Sequence, residues 1–564
     1  MTDSLTAKWI RNEIDERAAA AGYRFDEERG LYVVTWMYDY LCLYEGEWAG
    51  QPFECVDWQY EATMRMFGWV KHSDRWGREV RRFRNASIWV AKKNKKSPTL
   101  AAWSLYLLCG DGEQGQKVFL CAKNGQQARE IAGKHAIEMC RSSPALMRVC
   151  TINKSLMQIT HEPSRSFLRP LSSDNVRSQE GQEGINGSVV IDETHVVDRR
   201  FISRISRAGI SRSEPLQIEA STAGNNPSGY GKERFDYCEV VNNCQDGHVD
   251  FTTFALVYAA PQDLPDGELA ADPVKYARMA NPAWGHTIGE EEYLSDYNKS
   301  KSSLTATADH KMYRLNIWQA SSNPWLSRDS WAKCREDFTD ADLVGQTCGG
   351  GLDLSKTEDM TAFCLIFPEE PEGDYSEFRA RMLTWYWLPE GAIHKHAHAV
   401  PYLEWQAQGW LRVIPNTDVI PYSFIEHDID ELMERYDVRT VAYDRKYADD
   451  LLQRLADKYA ASEDEFYAFE QTIMTYAGPT AQFERMILAG DLRHDGNAIT
   501  TWQAGHVEVK TDANDKRRPV KPERNEIRKI DGIVAGIMAL DAAGRIDDLV
   551  GDSFYETNSV EGTR

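Results

Sequence analysis

The segment Val90 to Ser97, VAKKNKKS, lies between an apolar run, NASIWVA, and a helical pattern, TLAAWSLYLL, that stops at Gly110. That is the setting of a phosphate-binding loop. Backbone N–H groups at a helix start cradle phosphates, a lysine neutralises their charge and a hydroxyl takes Mg²⁺. Lys96 and Ser97 are the candidates for the last two roles. The spacing is that of GxxxxGK[ST], but Val90 and Lys95 stand where glycines belong, and glycine reaches positive φ at little cost. Read alone, KKNKKS is a basic surface loop more readily than a phosphate-binding one. Further on, SVVIDETHVVD is an apolar strand ending in Asp192 and Glu193. One carboxylate at a strand end can hold Mg²⁺ through water while its neighbour polarises the attacking water. LQIEASTAGNN then brings Ser221, Thr222 and Gly224 to the same sheet edge, suited to sensing a terminal phosphate. Upstream, Gln59 beside Trp58 is placed to contact adenine, although the stretch also reads as an amphipathic helix packing Met64, Met66 and Phe67. Each signal alone is common; together they specify ATP hydrolysis.

A second set of acids is spread over the C-terminal half. Asp353 ends GGGLD, Asp444 ends RTVAYD, and Asp531 lies inside the helical run IRKIDGIVAGIMAL beside Ile530, Val534 and Ala535. Strand-end aspartates also form turns and caps, so Asp353 and Asp444 decide little singly. A carboxylate on the packed side of a helix needs a partner. Two carboxylates ~4 Å apart repel by about 4 kcal/mol at an effective dielectric of about 20. A divalent cation removes that repulsion. Hard oxygen ligands favour Mg²⁺ or Mn²⁺, and two such ions roughly 3.5–4 Å apart support in-line phosphodiester cleavage.

These residues must be positioned by more than one core, since 564 residues exceed what a single core supports. Residues 85–259 alternate short apolar runs with helical patterns, which predicts a parallel α/β sheet. With a helical lead-in they make a first domain over 1–259. Residues 260–330 form a small lid, 331–345 a linker, 346–545 a second α/β domain whose sheet precedes its acid-bearing helix, and 546–564 a polar tail. No apolar stretch approaches the length of a membrane span, and the first residues, MTDSLTAKWIRNEIDER, have no apolar signal core. The 11 cysteines form no CxxC pair, so reduced thiols without structural zinc are expected. A net charge of -22 argues against blanket nucleic-acid affinity. Local charge differs: Lys71–Lys96 holds ten Lys/Arg against two acids, and Lys510–Lys529 eight against four.

The order Trp58-Gln59, VAKKNKKS, LSSD, VVIDETH, EASTAGNN, ANPAWG, LNIWQ, GLDLSKTEDMTAF, AYDRKYA and KIDGIVAGIMAL resembles the large terminase subunit of tailed bacteriophages, in its HK97-like branch. The resemblance covers nearly the whole chain. It implies an N-terminal P-loop ATPase of the ASCE type with a lid, followed by an RNase H-like nuclease. The implied work is ATP-driven translocation of double-stranded DNA into a procapsid and cutting of concatemeric DNA. By position, Lys96 and Ser97 hold phosphate and Mg²⁺, Asp192 assists the metal and Glu193 activates water. Ser221, Thr222 and Gly224 couple hydrolysis to movement, Lys92 adds a phosphate contact, and Arg177 is the candidate arginine finger. Asp353, Asp444 and Asp531 become the nuclease ligands for Mg²⁺ or Mn²⁺, two ions being expected. Lys95 departs from the family's usual glycine. The implied partners are the duplex, a small terminase subunit, the portal protein and further copies in a ring, with a monomer as the resting form. The implied setting is the host cytoplasm, transiently at the portal. The basic stretch 510–529 is expected to guide the duplex. Two other readings use the same residues: a helicase-nuclease or repair ATPase, and a degenerate docking protein. No second motor half separates the two sites, which favours packaging, and seven intact polar positions argue against decay.

Overall fold

The computed structural model describes residues 4–123, 128, 134–172, 186–197, 199–205, 209–227, 229–320, 325–355, 360–369, 378–396, 400–512, 516–521 and 528–546. Two compact units divide the chain, Met1–Gln319 and Ala320–Arg564. The break falls earlier than the expected 330 because Trp325 and Trp331 bury in the second unit's core. The stretch expected as a linker contains a 3-10 turn, Asp340–Leu343, with Leu343 buried.

The first unit is built on eight strands: β1 (Asn85–Trp89), β2 (Lys117–Ala122), β3 (Cys150–Asn153), β4 (Gln158–His161), β5 (Ser166–Ser172), β6 (Gly187–Asp192), β7 (Gln217–Ser221) and β8 (Thr253–Val257). Their spatial order is β8-β1-β7-β6-β2-β5-β4-β3. Every pair from β8 to β5 is parallel. The last two pairs are antiparallel, a correction to the expected all-parallel sheet. The reason is visible in the residues. β6 is buried at every position and reads as a continuous apolar run, whereas CTIN, at the sheet edge, and QITH beside it mix polar residues into half-exposed strands. The order matters for chemistry, because β7 sits between β1 and β6, so Ser221 emerges between the loop after β1 and the acids ending β6.

Helices α1 (Asp57–Gly68) and α2 (Lys96–Cys109) pack into the same core through Trp58, Met64, Leu100 and Trp103. Residues 260–317 add α3 (Pro273–Ala280) and α4 (Leu304–Leu315) around their own cluster of Leu264, Tyr276, Tyr293 and Leu315. The Asp272 side chain caps α3 and Ser303 caps α4.

The second unit begins with α5 (Arg328–Lys333) and is a seven-stranded sheet: β9 (Thr347–Asp353), β10 (Thr361–Pro368), β11 (Ala380–Pro389), β12 (Leu411–Ile414), β13 (Asp437–Tyr443), β14 (Phe466–Ala468) and β15 (Leu492–His494). The order is β12-β11-β10-β9-β13-β14, with β15 beside β11. β9, β10 and β11 are antiparallel neighbours, while β13 joins β9 in parallel. Helix α6 (Ile473–Ala489), a hairpin of β16 (Glu508–Thr511) and β17 (Arg517–Val520), and helix α7 (Asp531–Ala543) complete the unit. The triple glycine of β9 lets α7 lie directly on the strand. A Cβ at Gly351 would sit 2.1 Å from the Ala535 carbonyl oxygen, and one at Gly349 2.3 Å from the Ala543 nitrogen. Among the described residues no helix is long and apolar enough to cross a membrane.

Candidate active sites

The loop after β1 holds a left-handed backbone at two non-glycine residues, Lys93 (φ 72°) and Lys95 (φ 60°). Lys95 is therefore in the conformation that glycine would take, a state that costs an L-residue roughly 1–2 kcal/mol. Local contacts offset it: the Lys95 carbonyl accepts from Thr99 Oγ1 at 2.6 Å, and its ammonium lies 4.7 Å from the Trp48 ring centroid. The loop is also tied to residues 260–319. Asn94, fully buried, donates to Asn281 Oδ1 at 2.8 Å and accepts from Ala283 N at 3.0 Å, while Asn281 donates to the Arg314 carbonyl at 2.7 Å.

Four of the expected residues converge at the start of α2. Lys96 Nζ is 2.8 Å from Glu193 Oε1 and 3.7 Å from Asp192 Oδ1, and Ser97 Oγ donates to Asp192 Oδ2 at 2.7 Å. Burial raises the Glu193 carboxyl, but Lys96 and the neighbouring His195 outweigh it and hold the group well below the usual carboxylate range. Asp192 moves the other way, raised by burial and by the Glu193 charge against the pull of Lys96. Lys96 itself loses to burial and regains more from Glu193 and Asp192, so it stays protonated. Among the described residues Glu193 Oε2 and Thr222 Oγ1 are buried without a hydrogen-bond partner. Glu193 also takes a left-handed φ of 56°, an uncommon backbone state for a non-glycine residue. An ammonium, a hydroxyl, a strand-end acid and an unsaturated carboxylate oxygen fit a magnesium-bound nucleotide by donor type.

Other expected residues are placed differently. Gln59 is fully buried: its Oε1 accepts from Val56 N at 2.9 Å and its amide donates to Thr99 Oγ1 at 2.5 Å. It joins α1 to α2, and a contact to a base requires those bonds to open. The Lys92 ammonium stands 3.4 Å from the Tyr313 ring centroid on α4, and burial lowers its pKa. Ser221 Oγ accepts from His195 N at 3.1 Å and lies 2.8 Å from His195 Nδ1. The Gly224 carbonyl accepts from Gln319 N at 3.1 Å. Arg177 lies outside the described residues. His195, Asn94 and Asn281 were not among the expected site residues; the His of DETH and the Asn of ANPAWG were the signals.

In the second unit Asp353 ends β9, and Asp444 follows β13 with its N–H donating to the Leu352 carbonyl at 3.3 Å. Asp531 is the first residue of α7, not a mid-helix residue as expected; the chain enters through Ile530, whose ψ of 8° and φ of -135° lie outside the helix. That position suits a buried carboxylate, because a helix N-terminus favours negative charge. Gly349 faces Ala543 and Gly351 faces Ala535 and Ala539, so two further strand residues bring Asp353 to the α7 start. All three acids thus reach one end of the β9–α7 pair. Burial and the charges of Asp353 and Asp444 push the Tyr476 phenol up against its hydrogen bond to Gln471 and the charge of Arg518. Lys521 Nζ lies 3.5 Å from Asp531 Oδ1. Among the described residues no three His, Cys, Asp or Glu are grouped closely enough to hold an ion as they stand. By donor type the three carboxylates fit a hard divalent cation.

Family comparison gives the same order of two domains, with the second match starting at residue 248, inside the first compact unit. The family described as "Terminase large subunit, ATPase domain" matches residues 57–240, and "Terminase large subunit, endonuclease domain" matches residues 248–545. The terminase large subunit of Enterobacteria phage HK97 is 26% identical over 533 residues, covering 93% of this chain and 97% of that protein. Protein YmfN of Escherichia coli (strain K12) is 26% identical over 367 residues, covering 63% of this chain and 76% of that protein. The crystal structure of the HK97 bacteriophage large terminase aligns at 23% identity over 91% of this chain and 100% of that one, with a TM-score of 0.44. With the two family matches spanning most of its length, the chain belongs to the terminase large subunit family, enzymes that join an ATPase domain to an endonuclease domain.

Proposed function

We propose that this chain drives viral DNA packaging, hydrolysing ATP to move double-stranded DNA into a procapsid and cutting concatemeric DNA with divalent metal. The observation that carries the first half is the convergence of Lys96, Ser97, Asp192 and Glu193, with Glu193 Oε2 buried beside His195 Nδ1. ATP with Mg²⁺ supplies the scissile anhydride and the charge that steadies it. Lys96 and Ser97 hold phosphate and metal, Asp192 holds the metal through water, and Glu193, kept ionised, accepts the water's proton. Thr222, Ser221 and Gly224 report the phosphate to residues 260–319. Lys92 reaches phosphate by leaving Tyr313, Gln59 reaches adenine by releasing Thr99, and Arg177 acts on a ring neighbour.

In the nuclease half Asp353, Asp444 and Asp531 hold Mg²⁺ or Mn²⁺, and a pair of ions would orient water and leaving oxygen. Lys516, Arg517 and Arg518 at the β16–β17 hairpin guide the duplex, with the small terminase subunit, the portal protein and a ring of copies as partners in the host cytoplasm. Binding through phosphates predicts sequence-independent, salt-sensitive affinity. The test is ATP hydrolysis by Lys96→Ala and plasmid cleavage by the triple charge reversal at Lys516, Arg517 and Arg518. Loss of hydrolysis alone in the first and of cleavage alone in the second supports the assignment. Wild-type hydrolysis in Lys96→Ala removes the nucleotide site, and normal cleavage in the triple variant removes the DNA path.

A further inference from the structure

His195 occupies a 3-10 turn, Thr194–Val196, directly after the two acids. Its Nδ1 is 2.8 Å from Ser221 Oγ and 3.1 Å from Glu193 Oε2. The proton count fixes the tautomer. The single Ser221 hydroxyl proton goes to the Thr222 carbonyl at 2.9 Å, and the Glu193 carboxylate has none. Nδ1 therefore faces two acceptors and must carry the hydrogen. One N–H serves two acceptors, and it points along the Ser221 direction, since Glu193 Oε2 has no in-line donor among the described residues.

The ring packs against Gly224, Gly231 and Trp318, which together form the box around it. A Cβ at Gly224 would lie 2.9 Å from His195 Cδ2 and 3.2 Å from the Trp318 ring, and one at Gly231 would lie 2.6 Å from His195 Cα. The Trp318 backbone is fixed through its amide N–H to Gln262 Oε1 at 3.0 Å, and its neighbour Gln319 donates to the Gly224 carbonyl. One wall of the box thus belongs to the segment that closes residues 260–319.

We propose that His195 is a positioning residue whose Nδ1–H passes between Ser221 and Glu193. While Lys96 holds Glu193 Oε1, the hydrogen rests on Ser221. When Lys96 turns to phosphate, Glu193 loses that partner and the Nδ1–H turns to Oε2, fixing the base and releasing Ser221 in one movement. A shift of Trp318 changes the box, so the state of residues 260–319 and the aim of Glu193 are linked. This rests on the reading of Glu193 as the water-activating base.

The experiment measures ATP turnover and, separately, the Kd of a fluorescent ATP analogue for His195→Ala, His195→Asn and Ser221→Ala. Removing a hydrogen bond to a charged group is expected to lower kcat about 10- to 100-fold in His195→Ala. Its Kd for the analogue should stay within about twofold, since His195 makes no phosphate contact in this reading. The asparagine amide places a donor near the Nδ1 position and should restore most of the rate. Removing the competing hydroxyl in Ser221→Ala should raise basal turnover by about 2- to 10-fold. Wild-type kcat in His195→Ala, or no recovery in His195→Asn together with unchanged turnover in Ser221→Ala, overturns the proposal. Glu193→Gln is the separate control: if it hydrolyses ATP normally, the reading of Glu193 fails rather than that of His195.

Discussion

Gly351→Ala should disable the nuclease without touching hydrolysis. The added methyl would sit 2.1 Å from the Ala535 carbonyl oxygen and 2.4 Å from the Ala539 nitrogen, where ordinary contact begins near 3.4 Å. Both obstacles are helix backbone, so no side chain can swing aside and α7 must withdraw by about 1 Å. Overpacking of this kind costs about 1–3 kcal/mol, and rigid walls place this case near the upper figure. At about 2–4 °C per kcal/mol for a unit of this size, the second unit's calorimetric transition should fall by about 6–12 °C. Asp531 travels with α7 while Asp353 stays on β9, and a misplacement of about 1 Å can cost about 100-fold in rate. Plasmid linearisation with Mn²⁺ should drop accordingly, while ATP turnover stays at the wild-type level. Normal cleavage together with an unmoved transition would refute the reasoning that the glycine sets the height of Asp531.

Asn281→Ala removes the side chain that links Asn94 to the Arg314 carbonyl and leaves the buried Asn94 amide short of a partner. The penalty of about 1–3 kcal/mol should weaken binding of a nucleotide analogue by about tenfold, read by fluorescence titration, with plasmid cleavage unchanged. Burial pushes His310 down to about 4 despite Asp296 beside it. The folded protein therefore refuses a proton that the unfolded chain accepts below about pH 6.5, so stability is full above that value and falls as pH drops toward 4. The shift corresponds to roughly 3 kcal/mol at most, and His310→Gln should flatten the acid limb of the first unit's thermal transition between those two pH values.

Much of this molecule could be read before its structure. The runs SVVIDE and LQIEAS are apolar because their strands are covered on both faces, and the acids and hydroxyls follow where burial ends. TCGGGLD was legible as a strand, but the reason for its glycines was not, since the approach of α7 explains Gly349 and Gly351, while Gly350 faces Phe363 and Val441. β3 to β5 escaped notice because CTIN, QITH and SFLRPLS interleave polar residues and carry a weaker pattern. The position of Asp531 was misjudged because IRKIDGIVAG has helical periodicity on both sides of it, and the break at Ile530 comes from packing, with Gly532 pressed against Tyr386. Lys95 looked like a defect in the loop; a local bond from Thr99 and a longer-range contact with the Trp48 ring hold it in the glycine conformation. His195 was visible in DETH, but its role depends on β7 lying beside β6, a fact of strand order rather than of spacing.

The decisive measurement pairs Glu193→Gln with Asp444→Asn in parallel assays of ATP turnover and Mn²⁺-dependent plasmid cleavage. Two separate sites predict that Glu193→Gln loses turnover and keeps cleavage, while Asp444→Asn loses cleavage and keeps turnover. Retained turnover in Glu193→Gln, or retained cleavage in Asp444→Asn, would contradict the assignment of that site.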